Sequence, residues 1–328
     1  MTKVVFLPLS GDPFVGLFAI KMWERWANEV DRLYINYNNH AGIPQEVISE
    51  FLSKVKNPKI HVIYHPTGIE HGQALKELLL LSQEDLIMFL EEDAYIFNPG
   101  KVTEYFKMIE DGETDIVGSP RGSCGTEIWD VSKIKYNLNY EGIGDKGPNW
   151  WPNFFFCKRT DLLKTDLNFG SKQFNVGDYC KELDYTFKTV NCGDTFVWAS
   201  MQLRAMGLRS IEIPQHHASP NEITDKEGQI GNWYSSQKPF DRLHVGSLSA
   251  GLGGYLSGVK PNIASEGNKL EMETRCAFWN IALMNTEGFN SFKIEYSKGI
   301  GNLVEKAGLD YIRILKKMDI YKELLNLK

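Results

Sequence analysis

Apolar and polar positions divide the chain into a regular first half and a looser second half. Residues 4–9 form a short apolar run closed by Ser10, Gly11, Asp12 and Pro13, which predicts a first strand ending in a turn. Residues 14–29 take helical spacing, with Phe14, Leu17, Phe18, Lys21, Met22 and Trp26 able to share a face. Strands are expected again at 31–37 and 59–64, separated by a helix over 44–55 that opens on Pro44, a residue suited to a first helical turn. An amphipathic helix over 71–82 precedes residues 86–90 (LIMFL), an unbroken apolar run expected to be a strand buried on both faces. Strands alternating with helices of this length imply βαβ units and a mainly parallel sheet, hence an α/β fold.

Beyond Pro99 the pattern loosens. A helix over 102–110 and a strand over 114–118 lead into a Gly-rich, polar stretch at 119–152. A strand is expected at 153–158, a helix at 195–206 and a strand at 210–213, and 215–261 reads as loop. Residues 266–285 and 301–327 are helical by periodicity. This divides the chain into a catalytic domain over 1–262 and a C-terminal helical subdomain over 263–328.

Composition narrows the class. With 42% hydrophobic and 24% charged residues among 328, the chain is neither disordered nor fibrous. A net charge of −6 argues against a broad phosphate-binding surface. Five cysteines without a CxxC pair read as reduced thiols and exclude a zinc ribbon. The opening apolar run is too short for a signal peptide, and none approaches the ~20 residues of a membrane span. A cytoplasmic protein is expected, in the host cytoplasm if it is viral.

In a parallel sheet, ligands bind outside the carboxyl ends of the strands, which selects the loops at 10–13, 36–40, 66–71 and 91–97. The last of these carries the sharpest signal. LIMFL ends in Glu91, Glu92 and Asp93, and apolar character resumes at 94–97. Carboxylates between two buried segments are costly unless paired or bound to a cation. On an extended segment Glu91 and Asp93 would share one side, and two hard oxygen donors suit Mg²⁺ or Mn²⁺ with phosphate oxygens completing the shell. The plain alternative is a solvated turn of acids.

These pieces (PLSGD after the first strand, a second strand ending in polar residues, a helix before an apolar strand, and an acidic D-x-D-type motif) resemble the GT-A glycosyltransferases, including the family-2-like group, over residues 3–218. The resemblance implies a Rossmann-like GT-A sheet with a small C-terminal helical region. It implies Asp93 as the principal ligand of a metal bound to a nucleotide-sugar diphosphate, with Glu91, standing where Asp is usual, as a metal or ribose partner. Pro8, Ser10, Asp12, Asn36 and Asn38 would lie near the nucleoside. The stretch NCGDTFVWASMQLRAMGLRSIEIP is similar to the segment in which an acid heads a helix, so Asp194 would be the base of an inverting transfer; its other reading is a helix N-cap. His217 and His244 are candidates for a further metal ligand. Arg121, between glycines, and His71, at a helix start, are candidate contacts to the donor. Trp150 and Trp151 are candidates to stack on a sugar or base.

The implied activity is transfer of a hexosyl or pentosyl group from a nucleotide-diphosphate sugar, UDP-sugar foremost, to an acceptor hydroxyl. That hydroxyl would belong to a glycan or small molecule, or to a hydroxymethylated pyrimidine in viral DNA. Two other classes compete: a nucleotidyltransferase, for which PLSGDPF lacks the usual basic residue, and a non-catalytic carbohydrate-binding protein.

Overall fold

A computed structural model describes residues 1–40, 42–96, 99–120, 124–138, 148–213, 242–244 and 266–327. β1 (Lys3–Leu9) is followed by α1 (Pro13–Glu24), β2 (Arg32–Asn38), α2 (Gln45–Lys54), β3 (Ile60–His65), α3 (His71–Leu81) and β4 (Leu86–Leu90). After them come β5 (Ala94–Ile96), α4 (Gly100–Glu110), β6 (Ile116–Pro120), α5 (Thr126–Lys135), β7 (Trp150–Lys158) and the single turn α6 (Arg159–Leu162). The short strands β8 (Lys172–Phe174), β9 (Tyr179–Cys180), β10 (Tyr185–Thr186) and β11 (Asn191–Gly193) precede α7 (Val197–Ala205), β12 (Ser210–Glu212) and β13 (Arg242–His244). The chain closes with α8 (Glu266–Met284), α9 (Asn290–Ala307) and α10 (Tyr311–Leu324).

The main sheet has the order β12-β6-β7-β4-β1-β2-β3. All its pairs are parallel except those of β7 with β4 and β6. The mainly parallel α/β sheet expected from the sequence is therefore observed. Helices cover both faces, which is why LIMFL has no polar position: Leu86, Met88 and Leu90 enter one core, Ile87 and Phe89 the other. The first core also receives Phe18 of α1 and Phe278, Tyr296 and Tyr321 of the C-terminal helices. The sequence-defined region 263–328 thus shares its core with the sheet.

Several boundaries differ from expectation. The helix expected over 14–29 stops at Glu24 and gives way to a 3₁₀ turn at Ala27–Glu29. The Gly-rich stretch at 119–152 contains α5. The helical run at 301–327 breaks at Gly308, whose φ of +61° ends α9, and Asp310 restarts the chain by capping α10. Among the described residues no helix is long and apolar enough to cross a membrane.

Candidate functional site

From β1 the chain moves outward to β2 and β3, then crosses back through α3 to β4 on the other side of β1. The carboxyl ends of β1 and β4 therefore flank a topological switch point, where α/β sheets bind ligands. Ser10 and the three acids meet there. Ser10 donates from its backbone N–H to Glu92 Oε1 at 2.9 Å, and its hydroxyl donates to the same oxygen.

The acids are not extended. The Ala94 N–H donates to the Glu91 carbonyl at 3.0 Å, closing a turn over 91–94, so the expected alternation along a strand does not apply. Glu92 and Asp93 are only 5% and 6% exposed, which removes the solvated-turn alternative for these two. Glu91 is held by the indole of Trp151, whose Nε1 donates to its two carboxylate oxygens at 3.0 and 3.1 Å. His71 Nε2 lies 3.9 Å from Glu91 Oε1, which brings the start of α3 to the same crevice. Gly72 fits there because any Cβ would collide with the backbone of Gly170. Burial first, then the charges of Asp93, Glu92 and Asp12, push the Tyr95 hydroxyl well above its ordinary range. Negative charge is thus concentrated at this end of the sheet.

Asp12, expected near the nucleoside, has a structural task instead. It is buried, and Oδ1 caps α1 by accepting from the N–H groups of Phe14 and Val15 at 2.9 and 3.0 Å. Oδ2 accepts from the Tyr296 hydroxyl of α9 at 2.6 Å. Burial raises its carboxyl to about 6 against the hydrogen bonds from Tyr296, Val15 and Phe14. Trp150 is likewise unavailable for stacking on a ligand: it is fully buried, with the Arg204 guanidinium 3.8 Å from its ring centre.

Pro8 lies in β1 opposite Asn36 of β2, two residues past the last pair of β1 with β4. Asn36 and Asn38 are buried at the end of β2. Asn38 Nδ2 donates to Asn36 Oδ1 at 2.9 Å, and Asn36 Nδ2 donates to Glu77 Oε2 at 3.1 Å. Glu77 also lies 2.8 Å from His65 Nε2 and accepts from Gln73. Burial would raise the Glu77 carboxyl, but the hydrogen bonds from Gln73, His65 and Asn36 outweigh it and hold the group below its ordinary value. Sequence reading missed both His65 and Glu77. The available signal was a histidine at the carboxyl end of the third strand.

Asp194 is exposed and starts a turn: its carbonyl accepts from the Val197 N–H at 3.1 Å. The cap position of α7 falls on Phe196, in a left-handed conformation with no side-chain cap, so Asp194 is not the N-cap. Asn149 Nδ2 donates to the Thr195 carbonyl at 3.2 Å, tying this turn to the start of β7. Since β7 runs antiparallel to β4, its start lies at the crevice end of the sheet. His244 belongs to β13, whose register sets it opposite Ala94, next to Asp93 in the chain. Arg121 and His217 lie outside the described residues. Among the described residues no group of three or more His, Cys, Asp or Glu converges as a metal cage.

No curated protein matches the chain. Solved structures give distant likenesses. A mycobacterial protein is 19% identical over 49% of this chain and 54% of its own, with a TM-score of 0.35, so this chain spans about half of that one. The mannosyltransferase PcManGT from Pyrobaculum calidifontis, in complex with GDP-Man and Mn²⁺, is 11% identical over 99% of this chain and 85% of its own, with a TM-score of 0.41. S. aureus TarS 1–349, in complex with UDP-GlcNAc, is 12% identical over 93% and 72%, with a TM-score of 0.41. Scores this low assign no activity to this chain. A family match is more direct: the glycosyl transferase family 2 model covers residues 43–177, well under half of the chain but including His71 and the acid turn. Residues 43–177 are thus similar to the glycosyl transferase family 2 model, and they contribute β3, β4, β6 and β7 to the mainly parallel sheet.

Proposed function

We propose that this protein is a metal-dependent glycosyltransferase that moves a hexosyl or pentosyl group from a nucleoside-diphosphate sugar to an acceptor hydroxyl. The observation that supports this best is the acid turn, which stands at the switch point and inside the family-matched segment. A diphosphate is itself negative, and a wall of carboxylates would repel it unless a cation lay between them. The donor set fits such a cation. Mg²⁺ and Mn²⁺ retain waters and phosphate oxygens and need only one or two protein carboxylates, here Asp93 with Glu91. A divalent ion held there would supply Lewis-acid stabilisation of the leaving diphosphate. His244 is the further ligand candidate nearest the turn by register.

The chain's own residues divide the remaining work. Ser10 and His71 line the nucleoside side, Asn36 and Asn38 are buried at the end of β2, and Trp151 fixes the Glu91 carboxylate. Asp194, exposed at the crevice end of the sheet, meets the incoming acceptor. It takes the hydroxyl proton as the acceptor oxygen bonds to the anomeric carbon and the diphosphate leaves from the opposite face with the bonding pair. The acceptor is a glycan or small-molecule hydroxyl, since a net charge of −6 gives little attraction to nucleic acid.

The test is titration calorimetry with Mn²⁺ plus UDP or GDP, followed by release of the diphosphate from a panel of their sugar conjugates. Wild type should bind one nucleotide in a Mn²⁺-dependent way, and Asp93→Ala should lose it. Failure of wild type to bind either nucleotide with the metal would sink the proposal.

A further inference from the structure

We propose that Asn153 reads the transferred sugar, its carboxamide standing ready for hydroxyl groups of the donor. This rests on the glycosyltransferase reading and adds a residue whose role no feature of the acid motif indicates. Three observations carry it. The β4–β7 ladder ends at Leu90 opposite Phe154, so the next position along places Asn153 across from Glu91, the first acid of the turn. The strand is irregular there: β6 pairs Gly118 with Phe155 and Pro120 with Trp150, so two steps on β6 face five on β7. Such bulges occur next to active sites, where they re-aim side chains, and this one contains both Trp151, which grips Glu91, and Asn153. Finally, Asn153 is 1% exposed, and neither its Nδ2 nor its Oδ1 has a hydrogen-bond partner. Among the described residues it is the one buried carboxamide whose nitrogen and oxygen both lack a partner.

A buried carboxamide lacking both kinds of partner is a standing penalty for the free protein. It is explained if a ligand supplies the partners, and the chemistry of the amide selects the ligand. Phosphate oxygens only accept and would leave Oδ1 unmet, whereas a cation would leave Nδ2 unmet. Neighbouring sugar hydroxyls each donate and accept, and so meet both.

Asn153→Leu, close in size and without the polar atoms, separates this from a packing role. Free of nucleotide, the variant should melt at or above the wild-type temperature, because it removes an unsatisfied buried group. With Mn²⁺, its affinity for UDP or GDP should stay within twofold, while its affinity for UDP-glucose or GDP-mannose, whichever the wild type binds, should fall tenfold or more. Asn153→Asp, which keeps the acceptor and loses the donors, should also favour the bare diphosphate. A melting temperature several degrees below wild type, or equal losses for diphosphate and sugar nucleotide, would overturn the assignment. If wild type binds no nucleotide at all, the glycosyltransferase reading fails and the sugar assignment goes with it; equal losses on a working site overturn Asn153 alone.

Discussion

Asp12→Asn isolates the energetic consequence of a carboxylate buried beneath the crevice. Asp12 titrates at about 6 in the folded protein, against 3.8 for an ordinary aspartate, with burial as the main cause. Between those values the native state holds a proton that the unfolded chain has released. Stability from this group is therefore fully present below pH ~4, falls as pH rises through 6, and is flat above ~7. A shift of about two units at ~1.4 kcal/mol each amounts to about 3 kcal/mol lost across the window. Asparagine keeps an Oδ1 to accept from Phe14 and Val15, so the cap survives, but it has no charge to bury. The stability difference, wild type minus variant, should move by about 3 kcal/mol in favour of the variant between pH 4 and pH 7.5. At ~2 °C per kcal/mol for a chain of this size, that is a relative change of about 6 °C in melting temperature. Thermal melts of both proteins in matched buffers read it directly, and taking the difference cancels every titration the two share. A gap that stays constant across that range would refute the reasoning.

Two further outcomes follow from the same geometry. Trp151→Phe keeps the ring but removes the N–H that fixes Glu91, a charge-assisted bond of about 1.5–3 kcal/mol; Mn²⁺-dependent nucleotide affinity should drop tenfold or more, measured by calorimetry, with little change in melting temperature. In the C-terminal helices, burial lowers Lys317 to about 8, although nearby Glu273 favours its charged form. There the unfolded state binds the extra proton, so stability rises with pH between about 8 and 10.5, and wild type should gain roughly 3 kcal/mol on Lys317→Met across that window in urea melts.

The first four strands and their helices were legible because their signals are local: run length separates LIMFL from the amphipathic run at 71–82 without any knowledge of what packs on either. The place of the acid turn was legible for the same reason, but its shape was not, since Glu92 is turned toward Ser10, 82 positions away in sequence. Asp12 shows a signal present but read otherwise. Asp followed by Pro at the first helical position is a capping pattern, yet the same residue lies in a loop where a nucleoside contact is expected. At Asp194 it is the alternative reading, a helix cap, that the structure sets aside. Gly-Asp-Thr looks like a cap, but the Phe196 N–H donates to the Phe169 carbonyl at 2.8 Å and helix α7 begins two residues later than the pattern suggests. The break at Gly308 was hidden because apolar spacing continues through it in phase, and only the Gly-Leu-Asp punctuation marks it.

The C-terminal helices join these threads. Tyr296 of α9 holds Asp12 and, through it, the start of α1, just past the Ser10 loop. Phe278 of α8 stacks on Tyr95, two residues beyond Asp93, with ring planes 1° apart and centres separated by 5.3 Å. Both loops that flank the switch point are therefore braced from the same side by residues far along the chain. A boundary at 262 marks a change of sequence pattern, but the energetic unit crosses it: the tyrosine hydroxyl offsets part of Asp12's burial, and the ring stack fixes the strand that leaves the acid turn. A crevice lined by carboxylates needs such bracing, because their mutual repulsion would otherwise be relieved by moving the loops apart. Held in place, that repulsion is what the cation of the proposed function would relieve.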